Sequence, residues 1–369
     1  MPQMVQELQI GGTSGSAAEV VEMVQATQSL VRPNRMVKRR RATSGEDRLI
    51  DRYWRPLAKH PGALGLSDDA AAIKPPAGCD LVLTADGIVA GVHFLPGDPA
   101  DSIARKALRV NLSDLAAKGA QPIGFLLTLA LPEHDHKWLA RFAGALGEDA
   151  RRYRCSLLGG DTVRTSGPVT ISVAAFGAVP HGKMLLRSGG KPGDRLVVSG
   201  TIGDASLGLL LLCDRETTKR WRLDRAKRDH LEHRYRVPQP RTELAELILR
   251  HASAAMDISD GLAGDLAKLC RASGVAAEVA IERVPLSEAA LAARAADASL
   301  IETILTGGDD YEILAAVPPG NLKTLLQQAL AKGVAVTEIG KLTAGRGAPR
   351  LLDVNAKPIV LSRPSFSHF

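Results

Sequence analysis

Short aspartate motifs, each at the end of an apolar run, recur from one half of this chain to the other. They read LGLSDDA (64–70), LVLTADG (81–87), VNLSDLAAKGA (110–120), LLGGDT (157–162), MDISDGL (256–262) and LTGGDDYEI (305–313). Apolar runs of this length that stop at Asp or Gly predict strands and helices entering loops. Carboxylates gathered at such loops repel one another unless a cation lies among them. Donors that are all oxygen suit Mg²⁺, which bridges protein carboxylates to substrate phosphates. Glycines beside the acids let backbone approach a polyphosphate closely. The chain is therefore expected to be a metal-dependent enzyme that uses a nucleotide.

With 369 residues there is room for two domains of ordinary size. Aromatic residues make up only 4%, so the core must be built from Ala, Leu, Val and Ile. The longest apolar stretches, 123–131 and 207–213, fall well short of the roughly 20 residues of a membrane helix. Cys79, Cys155, Cys213 and Cys270 lie far apart with no CxxC pair, which argues against a zinc site or a disulfide scaffold. Cys155 and Cys270 sit in apolar patterns and read as core thiols, and a reducing, cytoplasmic setting is expected. The net charge of +7 includes six Lys/Arg against three Asp/Glu in residues 1–44. Lys38–Arg41 is the dense basic cluster there, and it reads as a solvated arm and not a nucleic-acid surface.

Residues 1–44 differ in composition from the rest and read as a flexible basic extension. From Gly45 the pattern is regular: helix 46–57, strand 81–86, helix 102–118, strand 123–130, helix 136–153. A short strand at 156–158 is expected to end at Gly159-Gly160-Asp161, with another strand at 169–179. The pattern changes near 180–191, which places the domain boundary at 180/181 and gives domains 45–180 and 181–369. Beyond it come strand KPGDRLVVSG, helix 204–213, a charged stretch 214–236 and helix 242–252. The strand and loop of MDISD, a helix near 262–272, a strand begun by GGDDYEI and a helix-plus-strand tail complete the chain. His230 and His233 are expected on a solvated helix face.

No GxxxxGK[ST] loop occurs, nor do the HRD and DFG signatures, and GTIGDASLG (200–208) lacks dinucleotide-loop spacing. The motifs that do occur resemble, in order and spacing, those of the thiamine-monophosphate kinase family. That family shares a superfamily with aminoimidazole ribonucleotide synthetase and selenophosphate synthetase. The likeness runs from Gly45 to Phe369 and rests on GED, the DDA turn, TADGIVAGVHF, KALRVNLSDLAAKGA and GGDT. It continues through LLRSGGKPGD, VSGTIGDASLGL, DISDGLAGDL, GGDDYE and a final SFSHF.

The resemblance implies a two-domain α/β (α+β) synthetase-like fold. An N-terminal sheet would form a homodimer interface, and a C-terminal α/β domain would follow. It implies ATP, several Mg²⁺ ions and thiamine monophosphate as ligands, and in-line transfer of the γ-phosphoryl group. By the same resemblance Asp69, Thr84, Asp86, Asp114, Asp161, Asp257 and Asp260 would hold metal, and Gly160, Asp161, Arg187 and Ser259 would contact ATP. His93, Asp309 and Phe366 would hold the acceptor. Asp86, Asp161 and Arg187 would carry the catalysis, which would rest on positioning and charge neutralisation.

Each residue also has a plainer reading. Asp114 could be a surface acid, Asp257 and Asp260 could cap a helix, His93 could be structural and Phe366 could pack in the core. Asp68 could neighbour a metal or merely shape a turn. Ser67 stands where the family pattern has glycine, Ala85 where it has threonine, and Asp309 where glutamate is common; GGDT continues as VRTSG, longer than the compact family loop. None of these departures removes a carboxylate. Cys79 lacks the glycine-rich setting that selenophosphate chemistry needs. Another enzyme of the superfamily, a nucleotide-binding regulator without turnover, and an RNA-associated protein using residues 38–41 remain as alternatives.

Overall fold

The computed structural model describes residues 45–214, 216–362 and 365. The sequence predicts one helix over 46–57. The run is instead α-helical over Gly45–Leu49, π-helical over Ile50–Trp54 and 3-10 over Arg55–Leu57. Pro56 has no N–H for an α-helical ladder, so the last turn changes form. Tyr53 and Trp54 stay buried through the change.

The first sheet is built from β1 (Cys79–Val89), β2 (Gln121–Leu131), β3 (Ser156–Arg164) and β4 (Thr170–Pro180), in the order β1-β4-β2-β3. Strand β4 runs antiparallel to both β1 and β2, and β3 runs parallel to β2. A parallel pair needs a crossover, and helix α2 (His136–Arg152) supplies it after α1 (Ala100–Ala117) has joined β1 to β2. Asp135 starts α2 by accepting a hydrogen bond from Lys137 N at 2.8 Å. The inner face of the sheet packs Phe125, Leu127 and Leu129 against Leu108, Leu112, Phe142 and Leu146 of the helices. Burying side chains of this size contributes about 1.5–3 kcal/mol each. The outer face is apolar too, yet it leaves Leu83 62% exposed beside half-buried Phe176, its partner in register.

The second sheet collects β5 (Arg195–Ser199), β6 (Ala254–Ile258), β7 (Ala276–Ala280), β8 (Glu312–Val317), β9 (Val336–Thr343) and β10 (Arg350–Leu352), in the order β10-β7-β9-β5-β8-β6. Around it lie α3 (Asp204–Cys213), α4 (Arg225–Arg236), α5 (Ala245–His251), α6 (Leu262–Ser273), α7 (Glu288–Ala296), α8 (Leu300–Thr306) and α9 (Pro319–Ala331). Cores line both faces of this sheet. Strands β6 and β8 are buried throughout, which explains why AAMDI and EILAAV read as unbroken apolar runs with an acid at one end.

Helix α1 belongs to both halves. Its Leu108 and Leu112 join the first sheet's core, while Ala116 and Ala117 pack with Ala255, Ile313 and Ala315 of the second. Every residue of α1 except Asp101, Arg105 and Asp114 is buried. Its Ala-rich sequence permits that close approach from two sides. A bidentate pair fixes it further: Arg109 Nε and Nη2 donate to Asp149 of α2 at 2.6 and 2.9 Å, and Arg109 Nη1 donates to Pro238 O at 3.0 Å.

Candidate active site

Three carboxylates converge where α1 passes the middle of β1, which runs on to Val89 and does not stop at Asp86 as the sequence suggested, and the end of β6. Alternation along β1 turns Thr84 and Asp86 to the inner face, toward α1. Thr84 Oγ1 donates to Asp114 Oδ2 at 2.5 Å, and Asp86 N donates to Asn111 Oδ1 at 3.1 Å. The i, i+3 spacing of Asn111 and Asp114 on one helix face therefore grips the middle of β1 at two points. Burial, and then the charge of Asp114, push the Asp86 carboxyl up to about 6. Asp257 at the end of β6 is pushed well above the usual range, first by burial and then by Asp114. Asp265 and Asp86 add to that rise, and a hydrogen bond from Ser113 opposes it.

Lys118, beyond the last turn of α1, donates to Ala255 O at 2.9 Å. Burial and then Arg187 lower its pKa, while Asp257 and Asp114 hold it up. Among the described residues no group of three or more His, Cys, Asp or Glu side chains is disposed to hold a metal ion as it stands. The charge of Asp114 nonetheless raises both Asp86 and Asp257, and all the donors of the cluster are oxygens. Such a cluster favours a proton or a hard cation.

A second group of residues lies at the start of the same helix. His93 Nδ1 accepts from Val89 N at 3.1 Å. Lys106 Nζ donates to His93 O and to Asp309 Oδ2, both at 2.8 Å. Asp309 belongs to the loop 307–311, which precedes β8. The sequence predicted that GGDDYEI would open the strand, but β8 starts only at Glu312. Asp309 N donates to Ser259 O and Tyr311 N to Ile258 O, each at 2.8 Å, so the loop is zipped onto the end of β6. A Cβ on Gly308 would stand 2.4 Å from Ser259 O, so only glycine fits there. Tyr311 is half-buried, with its hydroxyl hydrogen-bonded to Asp309. Burial, then the charges of Asp309, Asp86 and Asp257, push it well above its ordinary value. Tyr311 thus joins the two groups of acids.

Asp68, Asp69, Gly160 and Asp161 lie elsewhere. They line a cleft of about 580 Å³ whose apolar walls include Leu49, Ile50, Trp54 and Ile73. Strand β3 does not stop at Leu158 as the sequence suggested; it runs through Gly159-Gly160-Asp161 to Arg164. Gly160, at φ +148°, allows it, because a Cβ there would stand 1.8 Å from Leu127 O. In register, Asp161 pairs with Thr128, Thr128 with Ser172 and Ser172 with Gly87. Paired residues share a face, so Asp161 lies on the outer face, opposite to Asp86. Three strand spacings, about 14 Å, separate β3 from β1. One chain therefore keeps Asp69 and Asp161 apart from Thr84, Asp86, Asp114 and Asp257.

The remaining expected residues divide. Ser259 and Asp260 follow β6, and their N–H groups both donate to Asp265 Oδ2 at 2.9 Å. Asp260 does not stand open as a metal ligand, because Lys268 Nζ holds its Oδ2 while also donating to Asp265 Oδ1 at 2.8 Å. Arg187 is exposed near Lys118. Phe366 lies outside the described residues, as do residues 1–44. His230 and His233 are exposed as expected, but the stretch is not solvated throughout. Its Arg234 is buried, donating to Glu312 Oε1 at 2.9 Å. Sequence reasoning missed Lys106, Lys118, Lys268 and Tyr311, although three lie inside KALRVNLSDLAAKGA and GGDDYE and Lys268 follows DISDGLAGDL by two residues. Their signal was a cation or hydroxyl in or beside an acidic motif.

The pairing of this first sheet with this second sheet has known counterparts. The family model described as AIR synthase related protein, N-terminal domain, matches residues 67–179, and that for the C-terminal domain matches residues 191–350. The fold is that of an AIR synthase related protein. Within that class, the thiamine-monophosphate kinase of Caulobacter vibrioides is 45% identical over 303 residues, 81% of this chain and 84% of that protein. The crystal structure of thiamine-monophosphate kinase from Stenotrophomonas maltophilia K279a superposes with a TM-score of 0.74 at 35% identity, covering 85% of this chain and 96% of that one. AaThiL complexed with AMPPCP and TMP gives a TM-score of 0.69 at 30% identity, covering 82% and 91%. The chain belongs to the thiamine-monophosphate kinase family.

Proposed function

We propose that this protein transfers the γ-phosphoryl group of ATP to the phosphate of thiamine monophosphate, giving thiamine diphosphate and ADP. The observation that carries the reading is the convergence of Asp86, Asp114 and Asp257, where burial and the charge of Asp114 raise the carboxyls of Asp86 and Asp257. Mg²⁺ bound there would neutralise polyphosphate charge, with Thr84, Asp86, Asp114 and Asp257 as its donors. Asp69 and Asp161 would serve on the other side of the phosphates, with Gly160 letting backbone approach them. Arg187 and Lys118 would add positive charge, and Ser259 would meet the nucleotide. Asp260 is the weakest ligand of the set, because Lys268 already holds it.

In the reaction the bond from the γ-phosphorus to the bridging oxygen breaks, and ADP leaves with the electron pair. A new P–O bond forms to an acceptor phosphate oxygen that is already ionised. No proton has to be removed, so the protein needs alignment and charge neutralisation and not a strong base. Unphosphorylated thiamine would need such a base and is expected to be turned over poorly.

The separation of Asp161 from Asp86 within one chain points to a homodimer. A second copy packed on the apolar outer face of the first sheet, around Leu83 and Phe176, would cover the face on which Asp161 lies. We take 45–180 as the nucleotide- and metal-binding part and 181–369 as the α/β part that completes the site. No helix among the described residues is long and apolar enough to cross a membrane, and Cys79, Cys155, Cys213 and Cys270 are unpaired. A cytoplasmic setting fits those thiols.

The test is product formation from ATP, Mg²⁺ and thiamine monophosphate, with thiamine and an Asp86→Asn variant as controls. Thiamine diphosphate from the wild type, at least about a hundredfold less from the variant, and little from thiamine are expected. A wild type that binds ATP but forms no product would refute the assignment.

A further inference from the structure

Lys106 is a cation buried between the two halves of the molecule, 1% exposed, in a place the phosphoryl transfer itself does not require. A buried ammonium is costly unless it is paired and its protons are used. Here it is both. Its Nζ donates to His93 O and to Asp309 Oδ2, each at 2.8 Å, and stands 4.0 Å from the centroid of the Tyr235 ring. Three contacts from three directions fix the ammonium, and α1, which bears it, is itself buried.

Asp309 is the less settled partner. Its φ of +65° lies in the left-handed region, which is uncommon for a residue other than glycine, though aspartate enters it more readily than most. The backbone of its loop is tied to β6, but the carboxylate depends on Lys106 and on the Tyr311 hydroxyl for its direction.

We propose that Lys106 is the positioning residue of the acceptor site. It sets the Asp309 carboxylate in one orientation and cancels its charge, so the acceptor meets an aligned hydrogen-bond acceptor and not a free anion. This rests on the assignment of thiamine monophosphate as acceptor. It changes the role expected for Asp309, whose charge is already matched inside the protein before a thiazolium arrives.

The test is steady-state kinetics on the wild type, Lys106→Met, Asp309→Asn and the double variant, with KM for thiamine monophosphate and for ATP measured separately and thermal melting recorded. Lys106→Met is expected to raise KM for thiamine monophosphate about tenfold or more, with kcat and KM for ATP changed less than about threefold. Because Lys106 acts through Asp309, the double variant should lose no more than Asp309→Asn alone. An unchanged or lowered KM for thiamine monophosphate, an equal rise in both KM values, or multiplied losses in the double variant would overturn the inference. If Lys106→Met alone does not fold, the charge-matched double variant still decides. Equality with Asp309→Asn supports positioning, and a further tenfold loss refutes it. A wild type inactive on thiamine monophosphate would sink the functional assignment and this inference together, whereas an active wild type with an indifferent Lys106→Met would sink only the second.

Discussion

Asp86 shows how far one side chain can be moved by its surroundings. Its carboxyl rises from 3.8 to about 6 because it is half-buried beside Asp114. With a folded value above the unfolded one, the folded state binds the proton more tightly between about pH 4 and 6. Ionised Asp86 therefore costs stability above pH 6, by up to about 3 kcal/mol, and the cost disappears as pH falls toward 4. Two outcomes are expected in chelator-treated protein. Asp86→Asn should raise the melting temperature at pH 7.5 by a few degrees and have little effect at pH 4.5. Added Mg²⁺ should stabilise the wild type more at pH 7.5 than at pH 5.5, since protons and metal compete for the same oxygens. Gly160 is the opposite case, a residue defined by absence. Gly160→Ala would drive a Cβ into Leu127 O. Chemical denaturation should show a loss of about 2–4 kcal/mol.

Elements were legible where period and burial agreed. Helix α3 spans 204–213 as predicted, and α1, α2 and β2 depart by one or two residues at their ends. Apart from the helix expected over 46–57, which Pro56 alters locally, two failures share a cause. Strand β3 continues through Gly159-Gly160 because a neighbouring backbone demands the space, and loop 307–311 stays out of β8 because β6 captures its N–H groups. Both are tertiary demands with no local trace. The acids of the candidate site could be named from motifs, but not their partners. Nothing in DLAKL announces that Lys268 would close on Asp260, or in KALRVN that Lys106 would reach Asp309, more than 200 residues away. The start of α6 offers a test at this scale. Asp265 is fully buried and accepts from Ser259 N, Asp260 N and Lys268 Nζ. Asp265→Ala should cost about 2–4 kcal/mol in chemical denaturation and loosen the loop that carries Ser259.

At the scale of the whole molecule, the outer face of the first sheet is the unfinished surface. Leu83→Arg is expected to yield monomers by sedimentation and to lose activity without unfolding. A mixing experiment separates a shared site from two independent ones. If each site takes Asp86 from one copy and Asp161 from the other, inactive Asp86→Asn and Asp161→Asn proteins should regain roughly a quarter of wild-type activity on subunit exchange, since each mixed dimer keeps one intact site. No recovery, with exchange demonstrated, would place both residues in one chain's site after all. Helix α1 carries a last consequence. Lys106 and Asp114 stand two turns apart on it, about 12 Å, and the helix has almost no solvent face along which to slide or flex. On the proposed assignment, the acceptor would be held near Lys106 and phosphorylated near Asp114. The rod would then act as a fixed gauge of molecular length, and an acceptor one phosphate longer is expected to be a poor substrate.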